Sequence, residues 1–412
     1  MHSTSEFPPS REAALARLER FVPRAGAPYA EGRNTDAGPG EPTASSRLSA
    51  YLRYRLLTER EVVARVLEVH GLARTEKFVQ EVAWRTYWKG WLEQRSSTWR
   101  RFLAERERAR ATLGDASALR EAEEGRTGIE GFDDWARELV RDGHLHNHAR
   151  MWFASIWIFT LRLPWTLGAD FFLRHLVDAD PASNTLSWRW VSGLQTRGKS
   201  YLASAENIAR FTNGRFSPRG LAREAFAIEE AAAADACEPR ALDRDARLLL
   251  LPGAGLASPS PSLLLVTHED LHPESIDAPS IAVRSALVMN DPALLWGDAA
   301  RAFVAGASAD ACSRIATHFG CEARVAAKLE ARTILEAART AGVRHVVTPY
   351  APVGPVADAI DEAAPLLAPE GVTLARALRP WDAACWPHAQ RGFFPFKERM
   401  RKTLTELGVR AR

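Results

Sequence analysis

Glu81-Val-Ala-Trp-Arg-Thr-Tyr-Trp88 sets tryptophans at Trp84 and Trp88, with Trp91 three residues on. A spacing of four and three brings all three rings to one side of an α-helix. The same period extends both ways: from about residue 10 to 216 apolar residues recur by threes and fours, with few β-branched runs. Ten of the thirteen tryptophans lie between Trp84 and Trp190, more than a surface or a linker would hold, so this stretch is expected to be a helical domain with a large aromatic core.

Beyond residue 216 the pattern changes. Ser-Pro-Arg-Gly and an Ala- and Glu-rich run, Glu229 to Ala236, read as a connection over 217–245. Short apolar runs at Leu248–Leu251, Leu263–Val266, Ala286–Met289 and His345–Thr348 then alternate with helical stretches at Ala323–Ala341 and Val356–Leu367. That alternation predicts a smaller doubly wound α/β domain over 246–412, with a mostly parallel sheet. The expected fold class is thus α + α/β, with the helical domain over 1–216. A length of 412 residues suits two domains.

Composition narrows the function. Charged residues at 25% and apolar ones at 46% are those of a folded globular chain, and a net charge of +3 is too small to mark a dedicated nucleic-acid binder. Cys237, Cys312, Cys321 and Cys385 form no CxxC pair, which argues against disulfides, zinc and iron–sulfur clusters. Neither a leader-like apolar region nor a run of eighteen apolar residues appears, so the expectation is a cytoplasmic protein with no membrane partner and no metal.

Two segments carry chemistry of their own. Thr43-Ala-Ser-Ser-Arg-Leu-Ser49 gathers hydroxyls where a helix is expected to begin, which serves either to cap that helix or to receive a phosphate. Asn147, Arg150, Met151 and Ala154 share one helical face, offering an amide, a cation and a thioether together. Arg150 is then placed to pair with Asp178, either as an ordinary buried ion pair or as part of a binding site.

Taken with Asp178-Ala-Asp-Pro-Ala-Ser-Asn184 and Trp188-Arg-Trp190, these segments resemble the flavin domain of the DNA photolyase/cryptochrome family, in order and nearly in spacing. The resemblance runs over about residues 10–190 and implies FAD as cofactor. It implies flavin contacts at Tyr29, Ser45, Ser46, Arg47, Leu48, Ser49, Phe78, Arg85, Asn147, Arg150, Asp178 and Asp180, with Asn184 beside flavin N5. Trp188 and Trp165 match the first two members of the family's electron relay. The third position, around Ala109–Gly114, holds no tryptophan, which leaves Trp135, Trp152 or Trp157 as substitutes or all three as core aromatics. Glu81, Trp84, Asn147, Met151 and Trp190 match the positions that hold a cyclobutane pyrimidine dimer in DNA, with Glu81 stabilising its radical anion.

Two departures stand out. After Trp190 the chain reads Ser192-Gly-Leu-Gln-Thr-Arg-Gly-Lys-Ser-Tyr-Leu202, unlike the family's stretch, although Arg197 and Lys199 are suited to phosphates. The flavin-like part also precedes the α/β part, reversing the family's order. Leu264–His272, Thr348–Asp358 and Gly392–Lys397 resemble pieces of the family's antenna domain, so the α/β part is either that domain in circular permutation or a general doubly wound unit. Whether it holds a second, antenna chromophore is open. The implied function is light-driven repair of dimer-containing DNA; the alternative is a cryptochrome-like blue-light receptor with a signalling partner.

Overall fold

The computed structural model describes residues 6–196, 198–228, 248–250, 260–276 and 281–409. The first half is helical: α1 (Arg11–Phe21), α2 (Ala27–Gly32), α3 (Ser49–Arg53), α4 (Glu59–His70), α5 (Leu72–Glu93), α6 (Ser97–Thr112), α7 (Ser117–Glu123), α8 (Phe132–Asp142), α9 (Asn147–Ser155), α10 (Trp165–His175), α11 (Pro181–Val191) and α12 (Ala205–Phe211). Their starts follow from local chemistry. The Ser10 hydroxyl accepts from the Ala13 N–H, and Thr58 with Glu61 closes a reciprocal capping box. Asp180 accepts from the Ala182 and Ser183 N–H groups, and Pro181 takes the first helical position, where a missing N–H costs nothing. At its end α9 widens into a π-helical turn, Ile156–Thr160.

The second half is a six-stranded sheet: β1 (Leu248–Leu250), β2 (Ser260–Val266), β3 (Ile281–Met289), β4 (Glu322–Ala326), β5 (His345–Pro349) and β6 (Thr373–Leu378). All pairings are parallel, in the order β1-β6-β5-β2-β3-β4. From β2 the chain winds out to β3 and β4, then returns to β5 and β6, as in doubly wound folds. Helices α13 (Asp298–Phe319), α14 (Ala331–Ala341) and α15 (Pro355–Leu367) make the crossovers. Alternate residues of β2 serve opposite faces: Leu263 and Leu265 pack with α14 and α15, while Leu264 and Val266 join the core of the helical half.

The expected helix over Ala323–Ala341 is corrected: its first residues form β4, and the helix begins at Ala331. β4 is an outer strand with mostly exposed side chains, so it lacks the apolar run that marks a buried strand. The Glu229–Ala236 stretch of the expected connection, with Cys237, lies outside the described residues.

The two halves share one core. Phe303 of α13 stacks on Tyr54 at 5.3 Å and meets Tyr51 edge-on. After β6 the chain crosses back, and α16 (Pro380–Cys385) and α17 (Phe393–Glu406) pack on α5. The Trp381 indole donates to Thr86 Oγ1 at 3.0 Å and the Tyr87 hydroxyl to the Arg391 carbonyl at 2.6 Å. Gly90 permits this approach, since a Cβ there would lie 2.8 Å from the Trp386 Cα.

Glu93, near the end of α5, accepts from the Tyr350 hydroxyl at 2.7 Å and the Val353 N–H at 2.6 Å. Burial raises its carboxyl from 4.5 to about 7, against the lowering effect of those two donors. A pKa raised by folding adds stability that is whole below the unfolded value and fades as pH climbs through the folded one. The protein is therefore expected to lose stability from Glu93 between about pH 4.5 and 7, and urea titrations of Glu93→Gln across that range should show a flatter profile than the parent.

Candidate functional site

Residues 176–180, joining α10 to α11, present two buried carboxylates. Arg150 of α9 meets Asp178 at 3.3 Å and fixes itself by donating from Nε to the Leu145 carbonyl at 2.9 Å. Arg85 of α5 pairs with Asp180 at 2.8 Å and stands 4.0 Å from Asp178. Burial pushes Asp178 up, but Arg150, Arg85 and the Ser49 hydroxyl outweigh it and hold the carboxyl below its usual range. Asp180 is held at about 2: burial opposes ionisation, and Lys89, Arg53 and Arg85 overcome it. Asn184, one turn into α11, donates from Nδ2 to the Ala169 carbonyl at 2.9 Å, which leaves its amide oxygen as the acceptor it can offer.

The hydroxyl loop is arranged otherwise than expected. The helix after it, α3, starts at Ser49 and makes little more than one turn. Thr43 Oγ1, Ser45 Oγ and Ser46 Oγ accept from the Ser45, Arg47 and Leu48 N–H groups, so these hydroxyls stabilise the loop itself. Arg47 adopts a left-handed φ of 50° and turns its side chain to Glu6. Leu48 is buried and offers only backbone, and Tyr29 and Phe78 meet edge-on in the core at 5.3 Å. Beside the loop is a shallow recess lined by Asp36, Thr43, Arg47, Glu138, His144 and His146. There burial and Asp36 lift Glu138 to about 7, while burial drives His146 down to about 4.

Trp188 sits fully inside, edge-on to Phe172 at 5.1 Å and to Trp157 at 6.2 Å. Gly168 makes the room, because a Cβ on it would fall 2.3 Å from Trp188 Cη2. Three residues earlier on α10, Trp165 opens a second aromatic line: Phe102 at 5.7 Å, Trp99 5.4 Å beyond it, and Trp296 a further 5.5 Å away. Trp296 comes from the α/β half, is partly exposed, and directs its indole N–H at Asp170 across 3.4 Å. Trp135, Trp152 and Trp157 are wholly buried, so none provides the surface end of a relay.

The residues expected to hold a dimer come from α5, α9 and α11, with α11 packed against the other two. Glu81 pairs across to Arg33 at 2.6 Å, not along its helix to Arg85, and burial raises its carboxyl despite that cation. Asn147 is exposed at the start of α9, and Met151 is half-buried one turn later. Trp190 stacks on Tyr201 at 5.7 Å. One face of Trp84 is covered by Phe393 of α17, with centroids 3.5 Å apart and planes 9° from parallel. Arg197 lies outside the described residues.

The residues around the carboxylate loop fit a flavin. Ser183 Oγ and Trp188 Nε1 are buried without a partner among the described residues, as is Lys89 Nζ near Asp180. Two carboxylates, two guanidinium groups and an amide oxygen complement the alternating carbonyls and N–H groups on the polar edge of an isoalloxazine.

Comparison with known proteins points the same way. Residues 78–218 match the family described as the FAD binding domain of DNA photolyase. The chain is 34% identical over 238 residues to a deoxyribodipyrimidine photo-lyase of Streptomyces griseus, covering 57% of this chain and 49% of that protein. With a Thermus thermophilus enzyme of the same name it shares 35% over 199 residues, covering 47% and 45%. The chain thus spans about half the length of these relatives. A bacterial class III photolyase structure from Agrobacterium tumefaciens aligns with a TM-score of 0.39 at 26% identity, over 50% of this chain and 43% of that one. The helical half of this chain, over residues 78–218, is thus similar to the FAD binding domain of DNA photolyase.

Proposed function

We propose that this chain binds FAD against the 176–180 loop and uses it as a light-driven DNA photolyase that splits cyclobutane pyrimidine dimers. The observation that carries the reading is the pairing of Arg150 with Asp178 beside Arg85 and Asp180, with the Asn184 oxygen one turn away. FAD bound there would supply a light-absorbing, reversible one-electron donor, so that splitting of the cyclobutane bonds involves no net oxidation. Asp178 and Asp180 hold fixed negative charge at the ring, and the guanidinium groups of Arg150 and Arg85 balance it. With one amide N–H given to Ala169, Asn184 would offer its oxygen as an acceptor, which would suit an N–H at flavin N5. Tyr29, Phe78 and Leu48 close the site from the core, and the 43–49 loop with Ser49 borders it.

Glu81, Trp84, Asn147, Met151 and Trp190 receive the dimer, which must leave the DNA stack to reach them. Substitution Glu81→Gln, which keeps shape and removes charge, is expected to slow repair by about tenfold or more while the flavin spectrum stays unchanged. Repair assays on dimer-containing single- and double-stranded DNA check it. Colourless protein that FAD does not reconstitute would sink the proposal at its root.

Trp188 is the inner member of the relay, Trp165 the next, and Trp296 its outer end. Trp296→Phe is accordingly expected to slow light-driven flavin reduction by an added thiol without altering flavin content, as followed by absorbance under blue light.

One observation favours the receptor reading: Phe393 occupies a face of Trp84 that a dimer would otherwise meet. A flavin-bound protein that photoreduces but repairs neither DNA form would select it. The chain is proposed to divide at 217–245, with the α/β part after it corresponding to the family's antenna domain in reversed order.

A further inference from the structure

The two carbonyls that flank Asp178 are both gripped from α3 and the residue after it. The Tyr54 hydroxyl donates to the Val177 carbonyl at 2.6 Å, and Arg53 Nε donates to the Ala179 carbonyl at 3.3 Å. Neither grip is held by the helical half alone. The remaining two nitrogens of Arg53 clasp Glu269 at 2.6 and 2.7 Å, with both side chains under 5% exposed. The backbone carbonyl of Tyr54 accepts from the Leu271 N–H at 3.0 Å, and its ring lies on Phe303 and against His268. Residues 268–271 follow β2, at the end of the sheet where its strand order reverses.

We infer that Glu269, acting through Arg53, is a positioning residue for the carboxylates of the flavin site, so that the α/β half sets where charge falls against the cofactor; this rests on the FAD reading above. A bidentate carboxylate fixes the plane of a guanidinium, and that plane decides where Nε points. With Glu269 neutralised, Arg53 keeps its buried charge and turns toward the next carboxylate it feels, Asp180, in competition with Arg85. The loop then shifts together with the charge at the ring.

Asp270 provides the control. It is equally buried at the same junction but serves Arg55 and Arg379, neither of which touches the 176–180 loop. In the full-length protein, Glu269→Gln is expected to weaken FAD binding by about tenfold, to shift the midpoint potential of bound flavin, and to speed amide exchange at Val177, Ala182 and Ser183. Asp270→Asn should lower the melting temperature yet leave potential and exchange at these amides alone, and Glu269→Asp should recover part of the parent's potential. Equal shifts in both variants, or none in either, overturn the inference. Amide exchange without added flavin decides the positioning of the loop even if the protein proves unable to bind FAD, so the two readings fail separately.

Discussion

Arg55→Leu is expected to destabilise the fold by about 3–5 kcal/mol, read as a lowered urea midpoint. Arg55 is 1% exposed and lies among three carboxylates: Glu59 on α4, Asp270 after β2 and Asp382 on α16. Removing the cation leaves three buried acids facing one another, with Arg379 alone to answer Asp270. Burial already lifts Asp382 even with Arg55 in place, so the variant should take up protons on folding and recover part of its loss in mild acid. Arg55 also holds a left-handed φ of 51°, a strained conformation for a residue with a side chain. That it is arginine and not glycine fits a position chosen for charge.

The second large effect concerns light. Trp188→Phe is expected to slow flavin photoreduction by orders of magnitude, since a benzene ring is much harder to oxidise than an indole. FAD content is the control, read from the flavin-to-protein absorbance ratio, and the melting temperature should fall modestly, because a smaller ring fills less of a site lined by Phe153, Trp157 and Phe172. Gly168→Ala offers a test that leaves every tryptophan in place. Its added methyl would sit within 3 Å of both Trp188 and Trp157, so the rings must move, at a cost of about 1–3 kcal/mol. Slowed photoreduction in both variants would tie the effect to ring placement. Unchanged photoreduction in Trp188→Phe would remove the residue from the relay.

How far the sequence carries depends on where each contact partner lies. Helix periodicity was legible because its determinants sit within a few residues; the caps that the structure adds, Thr58 with Glu61 and Asp180 with Pro181, are equally local. The Arg150–Asp178 pair was legible through motif spacing, and the structure brings the two together. By contrast, Arg33 pairs with Glu81 across two helices, and Phe393 reaches Trp84 from the far end of the chain. No local pattern encodes such meetings. Trp296 escaped notice for the same reason, standing alone in the α/β half until the fold sets it against Trp99. The hydroxyls of 43–46 allow two readings from sequence, and the fold adds that their oxygens accept from their own loop amides, which leaves each O–H as a donor.

The core that runs from Trp152 and Phe153 through Tyr54 and Phe303 to Leu264 and Val266 has a calorimetric consequence. Halves that shared only a linker would absorb heat in two steps. Here neither can open without exposing the apolar face of the other, so a single endotherm is expected, on the order of 250 kcal/mol for a chain of this size. Its van't Hoff and calorimetric enthalpies should agree, as they do when a molecule melts as one cooperative unit.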